Sequence, residues 1–512
     1  MDKNYNASRL RLSLAHFLTG KAFTAVSTLS VMLLLARALP KEDFAILIIF
    51  EALVALSGMA ASFGINQTLL RFVPELRADN NGLALFRLIR NAIFSRAWIF
   101  GLLIVGLAAI GPWLAGWLGF GNRVDLFPWF LLAGWMGLTW MLVAQVMESL
   151  MWQKTSQYTI AATSALRLVL LGVSYMHGEV DLARVVEIEI ICQGLTLALL
   201  LLGLWHNQRQ DPCRHAGSLA WFKENRGRIS RYALSGYGFS LSTLLYGSQP
   251  NRAISARFLS PQAMGDFGFA DSLTRLFRRF LPSSLLIGFI RPLYFVRYAE
   301  TGQLHHLERM ANLVFRVNLI LMSAAALALL FFGGPVLDVL TAGKYGGTIY
   351  LVAAMLGLLV LESLQIQHVL LCQTLERNGL LVYSNLILSG SLLVALPLFP
   401  AIGAWAIVLA NLVGNVLAIT FIRRKLAPQG QTFKLDMPLI FRALLVFGMA
   451  AGVGYPIQHL AGLVLGGVAG LVAFILLLTL LRPFSSEEFA QLRGLLRPRV
   501  SNILRQSEGA KP

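Results

Sequence analysis

Apolar runs long enough to cross a bilayer alternate with short polar breaks along almost the whole chain. About 20 apolar residues span the hydrocarbon core of a membrane, and backbone inside that core is helical unless it closes into a barrel. These runs are too long and too uniformly apolar for barrel strands, in which apolar and polar residues alternate. The pattern therefore predicts an all-α, polytopic membrane protein.

The runs divide the chain into about fourteen predicted transmembrane helices. Their approximate bounds are 12–36, 44–64, 94–119, 126–150, 157–177, 182–205, 231–256, 264–289, 313–337, 348–372, 379–398, 403–422, 439–456 and 463–481. The eighth span carries several charges, and the last two are short and rich in glycine. We expect the first span to act as a retained signal-anchor, because its apolar core is long and its flank is basic.

Composition agrees with this class and the charges predict its orientation. Charged residues make up 13% of the 512, whereas a soluble protein carries about 25%. The basic residues concentrate in alternate short loops, which places both termini in the cytoplasm by the positive-inside rule. The outside loops would hold little more than Lys41, Arg123, Arg184 and Lys344. Much of the net charge of +18 is then topogenic, and we expect no nucleic-acid partner.

The predicted polar segments leave little room for catalytic residues. A membrane polysaccharide polymerase or ligase usually needs a large outer loop that carries its acids, and the outside loops here are all short. The three cysteines lie far apart, and His305-His306 has no third ligand nearby, so no zinc spacing is present. We therefore expect no enzyme activity, no metal and no cofactor.

Short segments from the first half of the sequence recur in the second half at a nearly constant separation. Ala36-Arg37-Ala38-Leu39 returns as Ala256-Arg257-Phe258-Leu259, and each copy is followed by an aspartate–phenylalanine pair. The same offset matches Glu51 with Asp271, Arg71 with Arg291, Arg96 with Arg316, and Gln145 with Gln365. Six helices in each copy predict parallel repeats, which enclose a site between two lobes that move in alternating access.

This repeat gives the predicted domain organisation. An N-terminal six-helix lobe covers 1–206, and a basic cytoplasmic linker covers 207–230. The C-terminal six-helix lobe covers 231–425, two additional helices cover 426–482, and a basic cytoplasmic tail covers 483–512.

Several motifs resemble the polysaccharide transporter (Wzx-type flippase) family of the multidrug/oligosaccharidyl-lipid/polysaccharide exporter superfamily. They are the stretches Leu35-Ala36-Arg37-Ala38-Leu39-Pro40-Lys41-Glu42-Asp43-Phe44, Gly64-Ile65-Asn66-Gln67-Thr68-Leu69-Leu70-Arg71-Phe72-Val73-Pro74-Glu75, and Asn251-Arg252 through Gly265-Asp266-Phe267. The similarity covers about residues 10 to 425. Where many relatives carry an aspartate before the basic residue of the seventh helix, this chain has Asn251.

The resemblance implies a flippase of the bacterial inner membrane. Its substrate would be a polyprenyl-diphosphate-linked oligosaccharide for O-antigen, capsule or exopolysaccharide assembly. A coupling ion, either proton or sodium, and a polysaccharide polymerase with its export machinery would be its further partners. A multidrug exporter of the same superfamily and a membrane polysaccharide polymerase or ligase are the alternatives.

The eighth helix offers cations for a diphosphate. Asp271, Arg275 and Arg278 share one helix face and Arg279 lies beside them. Asp271 and Arg275 can pair along the helix, which would leave Arg278 and Arg279 to bind phosphate oxygens. If the helix ends earlier, these arginines belong to an interfacial turn instead.

Two polar stripes add further candidates. Lys21 lies on the first helix with Thr24 and Thr28, and the seventh helix carries Tyr246, Gln249 and Arg252. We expect the stripes to face each other across the lobe interface, or else to serve helix packing through their small hydroxyls. The predicted substrate-binding residues are thus Lys21, Tyr246, Gln249, Arg252, Arg275, Arg278 and Arg279.

Four acids inside predicted spans are candidates for ion coupling, namely Glu51, Glu148, Asp271 and Glu362. Ionisable groups cost free energy in a bilayer and are functional candidates by default. Each could equally be the partner of a nearby arginine, and Glu148 could lie at the cytoplasmic end of its helix.

Overall fold

The structure, a computed structural model, describes residues 7–242, 244, 246–281, 283, 304–375, 377–429 and 437–481. The regular elements in these ranges are helices, which confirms the all-α class. Twelve of the described helices are long and apolar enough to span a membrane. They correspond to every predicted span except the seventh and the eighth.

The helices of the first half of the chain follow one another closely. They are α1 (Ala7–Ala38), α2 (Lys41–Ala60), α3 (Ile65–Ala78), α4 (Gly82–Ala109), α5 (Gly111–Leu118), α6 (Phe127–Ser149), α7 (Gln153–Met176), α8 (Leu182–Gln210), α9 (Ala220–Ser242), α10 (Ser248–Phe258) and α11 (Pro261–Phe280). Side-chain caps mark some of their starts, since Asn81 accepts from the Ala84 amide and Asp181 from the Arg184 amide.

The second half continues with longer apolar helices. They are α12 (Leu304–Ala328), α13 (Gly334–Thr341), α14 (Ile349–Thr374), α15 (Asn378–Ile402), α16 (Trp405–Leu426), α17 (Met437–Ala461) and α18 (Leu463–Leu481). A π-helical segment, Leu329–Gly333, joins α12 to α13.

The seventh predicted span is not one continuous helix. Helix α9 ends at Ser242, and α10 begins at Ser248 after Gly247, whose φ of +113° favours glycine. The prediction of an unbroken helix over 231–256 was therefore wrong at this point. The eighth span begins as predicted, but α11 ends at Phe280, and 284–289 lie outside the described residues.

Helix α3 is an element that hydropathy missed. Its apolar residues Leu69, Phe72, Val73 and Leu76 are buried, while Arg71 on the other face is exposed. This amphipathic pattern has helical spacing, but it is too short and polar to register as a membrane span.

The chain divides into two compact units. The first consists of Met1–Phe277, Pro335–Met355 and Asn378–Phe421. In it α1 packs most extensively against α7, α6 packs against α8, and α2 packs against α10 and α6. Helix α9 contacts α2, α3 and α15.

The second unit consists of Arg278–Gly334, Leu356–Arg377 and Ile422–Pro512. Its last two helices, α17 and α18, pack closely together. A Cβ atom at Gly454 would lie 2.3 Å from the ring of Phe331, and one at Gly467 would lie 2.2 Å from the ring of Phe332. Glycine at these positions therefore lets the aromatic rings of α12 and its π-segment enter the helix pair.

Candidate functional site

A completely buried arginine joins three elements of the first unit. Arg252 on α10 donates from Nε to Asp271 Oδ2 at 2.6 Å and from Nη1 to Glu51 Oε2 at 3.0 Å. Its Nη2 donates to Ser272 Oγ at 2.6 Å. Each guanidinium nitrogen thus has a partner on α2 or α11, as a buried charge requires.

A second arginine extends this pairing. Arg275 Nη2 lies 3.6 Å from Glu51 Oε2, and its Nε lies 3.4 Å from Asp271 Oδ2. Ser248 Oγ donates to Asp271 Oδ2 at 2.6 Å. We call Glu51, Arg252, Asp271 and Arg275 the four-charge network; with two guanidiniums and two carboxylates it carries no net charge.

The four-charge network has a buried half and an accessible half. The exposed fraction of the side chain is 0% for Arg252 and 12% for Asp271, but 31% for Arg275 and 38% for Glu51. A ligand can therefore reach Glu51 and Arg275 without opening the helices around Arg252.

Two glycines let α2 and α11 approach closely enough to form this network. A Cβ at Gly268 would lie 2.8 Å from Ile48 Cγ1, and a Cβ at Gly265 would lie 2.6 Å from the Lys41 carbonyl oxygen. Any larger side chain at these positions would need a shift of the neighbouring helix.

The network also joins two residues that the predicted repeat matches. Glu51 and Asp271 are the acids that the repeat matches, and both bind the guanidinium of Arg252. Asn251 is buried next to Arg252, and its Oδ1 accepts no hydrogen bond from the described residues.

Two other predicted residues of the seventh span have separate surroundings. The hydroxyl of Tyr246 accepts from Asn415 Nδ2 at 3.0 Å. Gln249 is partly buried, and its Oε1 accepts no hydrogen bond within the described part of the chain. Tyr246 lies between α9 and α10, and Gln249 lies in the first turn of α10.

Lys21 is exposed and acts electrostatically on Glu148. Glu148 lies in the last turn of α6 and accepts from Gln157 Nε2 at 2.7 Å. A Cβ at the neighbouring Gly20 would lie 2.6 Å from Gln157, which fits the close packing of α1 on α7. The alternative position for Glu148, at a helix end, is therefore the one observed.

The second unit contains its own ion pair. Arg278 Nη2 lies 2.6 Å from Glu362 Oε2, with Glu362 on α14. The expectation that Arg278 remains in surplus was wrong, because a carboxylate distant in the sequence neutralises it. Arg279 is exposed on the same turn of α11.

A further polar cluster of the first unit was not predicted from the sequence. Arg167 on α7 forms an ion pair with Glu189 on α8, and Gln193 Nε2 donates to Glu189 at 3.1 Å. Trp140 donates to Gln193 Oε1, and the charge of Arg167 also acts on Glu51. Arg167 and Glu189 both lie inside predicted spans. Because charges are costly in a bilayer, a search for charged residues within those spans would have found them.

The sequence draws attention to the buried Arg96 only because the predicted repeat matches it with Arg316. Its Nη2 donates at 2.6 Å to the carbonyl of Gly58, in the last turn of α2. A cation is favourable there because the helix dipole is negative at its C-terminal end.

Cations hold the turn between α1 and α2 against the rest of the first unit. Lys41 Nζ lies 2.7 Å from Asp266 Oδ1, and Arg37 Nη1 donates to the Val339 carbonyl at 2.7 Å. Lys344 Nζ donates to the carbonyls of Arg37 at 2.6 Å and Leu39 at 2.9 Å. We call Arg37, Lys41, Asp266 and Lys344 the clasp. Burial lowers the pKa of Lys344.

A different set of contacts ties α3 and the turn after α2 to α9. Arg228 on α9 binds both carboxylate oxygens of Glu75, at 2.6 and 2.9 Å. The rings of Phe63 and Tyr237 stack with centroids 4.8 Å apart. The first unit is therefore held together at both ends of α2.

Within the described residues, no group of three histidine, cysteine, aspartate or glutamate side chains is placed to hold a metal ion. The described site is thus built from arginines and carboxylates, which can bind anions, cations or each other.

No family model and no curated protein matches the sequence, whereas several solved structures resemble the fold. The lipid II flippase MurJ, in an inward closed conformation, gives a TM-score of 0.68 at 10% identity, covering 91% of this chain and 98% of that chain. An inward-facing multidrug resistance MATE family transporter of the MOP superfamily gives 0.62 at 14% identity, covering 80% and 96%. VcmN, a MATE transporter of Vibrio cholerae, gives 0.51 at 15% identity, covering 84% and 100%.

The chain has the fold of these transporters. At such low identity the likeness concerns the fold alone, and the chemistry must be argued from the residues of this chain.

Proposed function

We propose that this protein is a MOP-superfamily transporter that flips a polyprenyl-diphosphate-linked oligosaccharide across the bacterial inner membrane. The observation that carries the proposal is the pair of guanidiniums, Arg252 and Arg275, which one accessible carboxylate holds side by side in the first unit. These two arginines would bind the diphosphate of the substrate, and the polyprenyl chain would remain in the lipid bilayer.

The chemistry of the substrate explains why arginines are suited to this task. A diphosphate that crosses hydrocarbon loses its hydration and needs cations that replace it. Guanidinium binds phosphate oxygens through two parallel hydrogen bonds, which gives both energy and orientation. The partly exposed Arg275 would contact the diphosphate first, and the buried Arg252 would then fix the orientation of the bound diphosphate.

The proposed mechanism is alternating access between two lobes, 1–206 and 231–425, with the helices beyond 426 appended. Repeat-equivalent Glu51 and Asp271 meet at Arg252, as expected if a pseudo-twofold axis passes between α2 and α11. The clasp would close the outer end, and the Glu75–Arg228 pair would close the cytoplasmic end. Each would open in turn.

Coupling to a proton or sodium ion is part of the proposal. Glu51, Glu148, Asp271 and Glu362 are its candidate acids, and of these Asp271 contacts two arginines and a serine hydroxyl. The flipped substrate would be passed to a polysaccharide polymerase and the export machinery. Such a transporter would require no cofactor and perform no enzymatic step.

A multidrug exporter is the second candidate function, and one observation favours it. The four-charge network is electrically balanced, and its most accessible member is a carboxylate, Glu51. An exposed carboxylate attracts the cationic groups that typical drugs carry.

The lipids of a deletion strain test the proposal. We expect a complete oligosaccharide on polyprenyl diphosphate to accumulate, protected from an impermeant reagent on the cytoplasmic side, when lipids are extracted and identified by mass spectrometry. The same molecule exposed outside but unpolymerised would indicate a polymerase or ligase. Normal lipids together with greater sensitivity to cationic drugs would favour the exporter.

A further inference from the structure

One oxygen atom of Glu51 lies between two arginines. Oε2 accepts from Arg252 Nη1 at 3.0 Å and lies 3.6 Å from Arg275 Nη2. A carboxylate oxygen in this position has the charge and hydrogen-bonding capacity of a phosphate oxygen. Glu51 therefore occupies the place where an anionic ligand would contact both guanidiniums.

The two carboxylates of the four-charge network are not equally exchangeable. Asp271 is nearly buried and also accepts from Ser248, so its departure would leave a buried guanidinium with fewer partners. Glu51 is 38% exposed and can turn toward water while Asp271 and Ser272 still hold Arg252. A third cation, Arg167, also acts on Glu51, but it lies outside the network and is paired with Glu189.

We propose that Glu51 is an internal competitor, which occupies the diphosphate position between Arg252 and Arg275 in the empty transporter and is displaced by the substrate. The inference rests on the proposed function and deepens it by assigning Glu51 a role in affinity. Competition keeps the arginines neutralised while no substrate is bound, and it weakens binding enough for the substrate to leave after flipping.

The test is diphosphate binding by the purified full-length protein in nanodiscs. Farnesyl diphosphate, a short prenyl diphosphate, is titrated into wild type and Glu51→Gln, and affinity is measured by calorimetry. We expect Glu51→Gln to bind at least about tenfold more tightly, because the neutral amide competes poorly and leaves one uncompensated guanidinium.

Two further variants make the result specific. Glu187→Gln is the matched control, since Glu187 pairs with Arg184 on α8 and is 59% exposed; we expect it to bind as wild type does. Glu51→Asp keeps the charge but shortens the side chain by one methylene, so it should bind between wild type and Glu51→Gln. It also serves as the deciding variant if Glu51→Gln does not fold.

The outcomes separate the inference from the function on which it rests. Farnesyl diphosphate binding by Glu51→Gln that is equal to or weaker than that of the wild type overturns the competitor role. If Glu51→Gln does not fold, the same result for Glu51→Asp overturns it. Binding by the wild type leaves the flippase proposal intact in both cases. If neither wild type nor variants bind farnesyl diphosphate but wild type binds ethidium, the flippase proposal fails as well.

Discussion

At the scale of single residues, Arg252 is the side chain on which the site depends. It is fully buried, and its three hydrogen-bonding nitrogens each have a different partner, on α2 or α11. A buried ion pair adds little stability relative to apolar packing, but removing one partner leaves the others as uncompensated charges.

Arg252→Gln should therefore destabilise the protein by about 3–5 kcal/mol, measured as the loss of thermal stability in detergent. Arg279→Gln, a change at an exposed arginine on α11, is the control and should leave the melting temperature nearly unchanged. Adding Glu51→Gln to Arg252→Gln should restore much of the loss, because the two charges that remain in the network, Arg275 and Asp271, neutralise each other. An unaltered melting temperature in the single variant would contradict the buried network.

At the scale of the helices, the contact between α2 and α11 brings together Glu51 and Asp271, the two acids that the predicted repeat matches. It depends on small residues, since Ile48 and the Lys41 carbonyl lie against Gly268 and Gly265. Separation of these helices would move Glu51 away from Arg275 and would part the two carboxylates that bind Arg252.

Gly268→Val should destabilise the protein by about 1–3 kcal/mol and weaken diphosphate binding, because the added side chain meets Ile48. Melting temperature and farnesyl diphosphate titration are the measurements. Gly106→Val on α4 is the matched control, since a Cβ there has no neighbour within 4 Å. Equal effects from both substitutions would mean that helix propensity, and not the α2–α11 contact, is responsible.

The sequence predicts helices of this fold better than their interruptions. Long apolar runs have one stable form in a bilayer, which is why twelve predicted spans reappear among the described helices. The break before α10 was not predictable from hydropathy, because it depends on the conformation of Gly247 and on tertiary contacts of Arg252.

Candidate site residues could be found one at a time, but not as partners. Glu51, Arg252 and Asp271 each attract attention as charges inside apolar runs, and the repeat even relates the two acids. That both acids bind one arginine depends on how helices rotate against each other, which one sequence does not specify. For the same reason Arg278 was expected to be in surplus, although Glu362 neutralises it.

At the scale of the molecule, the clasp links the α1–α2 turn to residues of α11 and the 342–345 turn. Lys41 and Lys344, two of the few cations predicted outside, both serve this purpose. If alternating access is the mechanism, these contacts must break once in every transport cycle.

A reversible cross-link at the clasp tests this requirement. In a chain whose native cysteines are replaced, Lys41→Cys with Asp266→Cys, joined by a bifunctional methanethiosulfonate reagent, should stop export, and reductant should restore it. The pair Arg184→Cys with Glu187→Cys, about one helical turn apart on α8, should leave export unchanged after the same treatment. Normal export by the cross-linked clasp variant would show that this end need not open.

The balance of charge in the four-charge network has an electrical consequence. Since the two guanidiniums and two carboxylates cancel, the network does not neutralise a diphosphate diester, and the loaded transporter would carry two negative charges across the membrane. Each charge is worth about 2.3 kcal/mol per 100 mV, so an inside-negative potential would drive the substrate outward.

Flipping in proteoliposomes should then slow when valinomycin and equal potassium concentrations abolish the potential, and should accelerate as the potential on the substrate-loaded side becomes more negative. A rate independent of voltage would require a compensating cation to travel with the substrate. The empty four-charge network carries no net charge and would return without electrical work of its own, so the membrane potential could make net transport run in one direction.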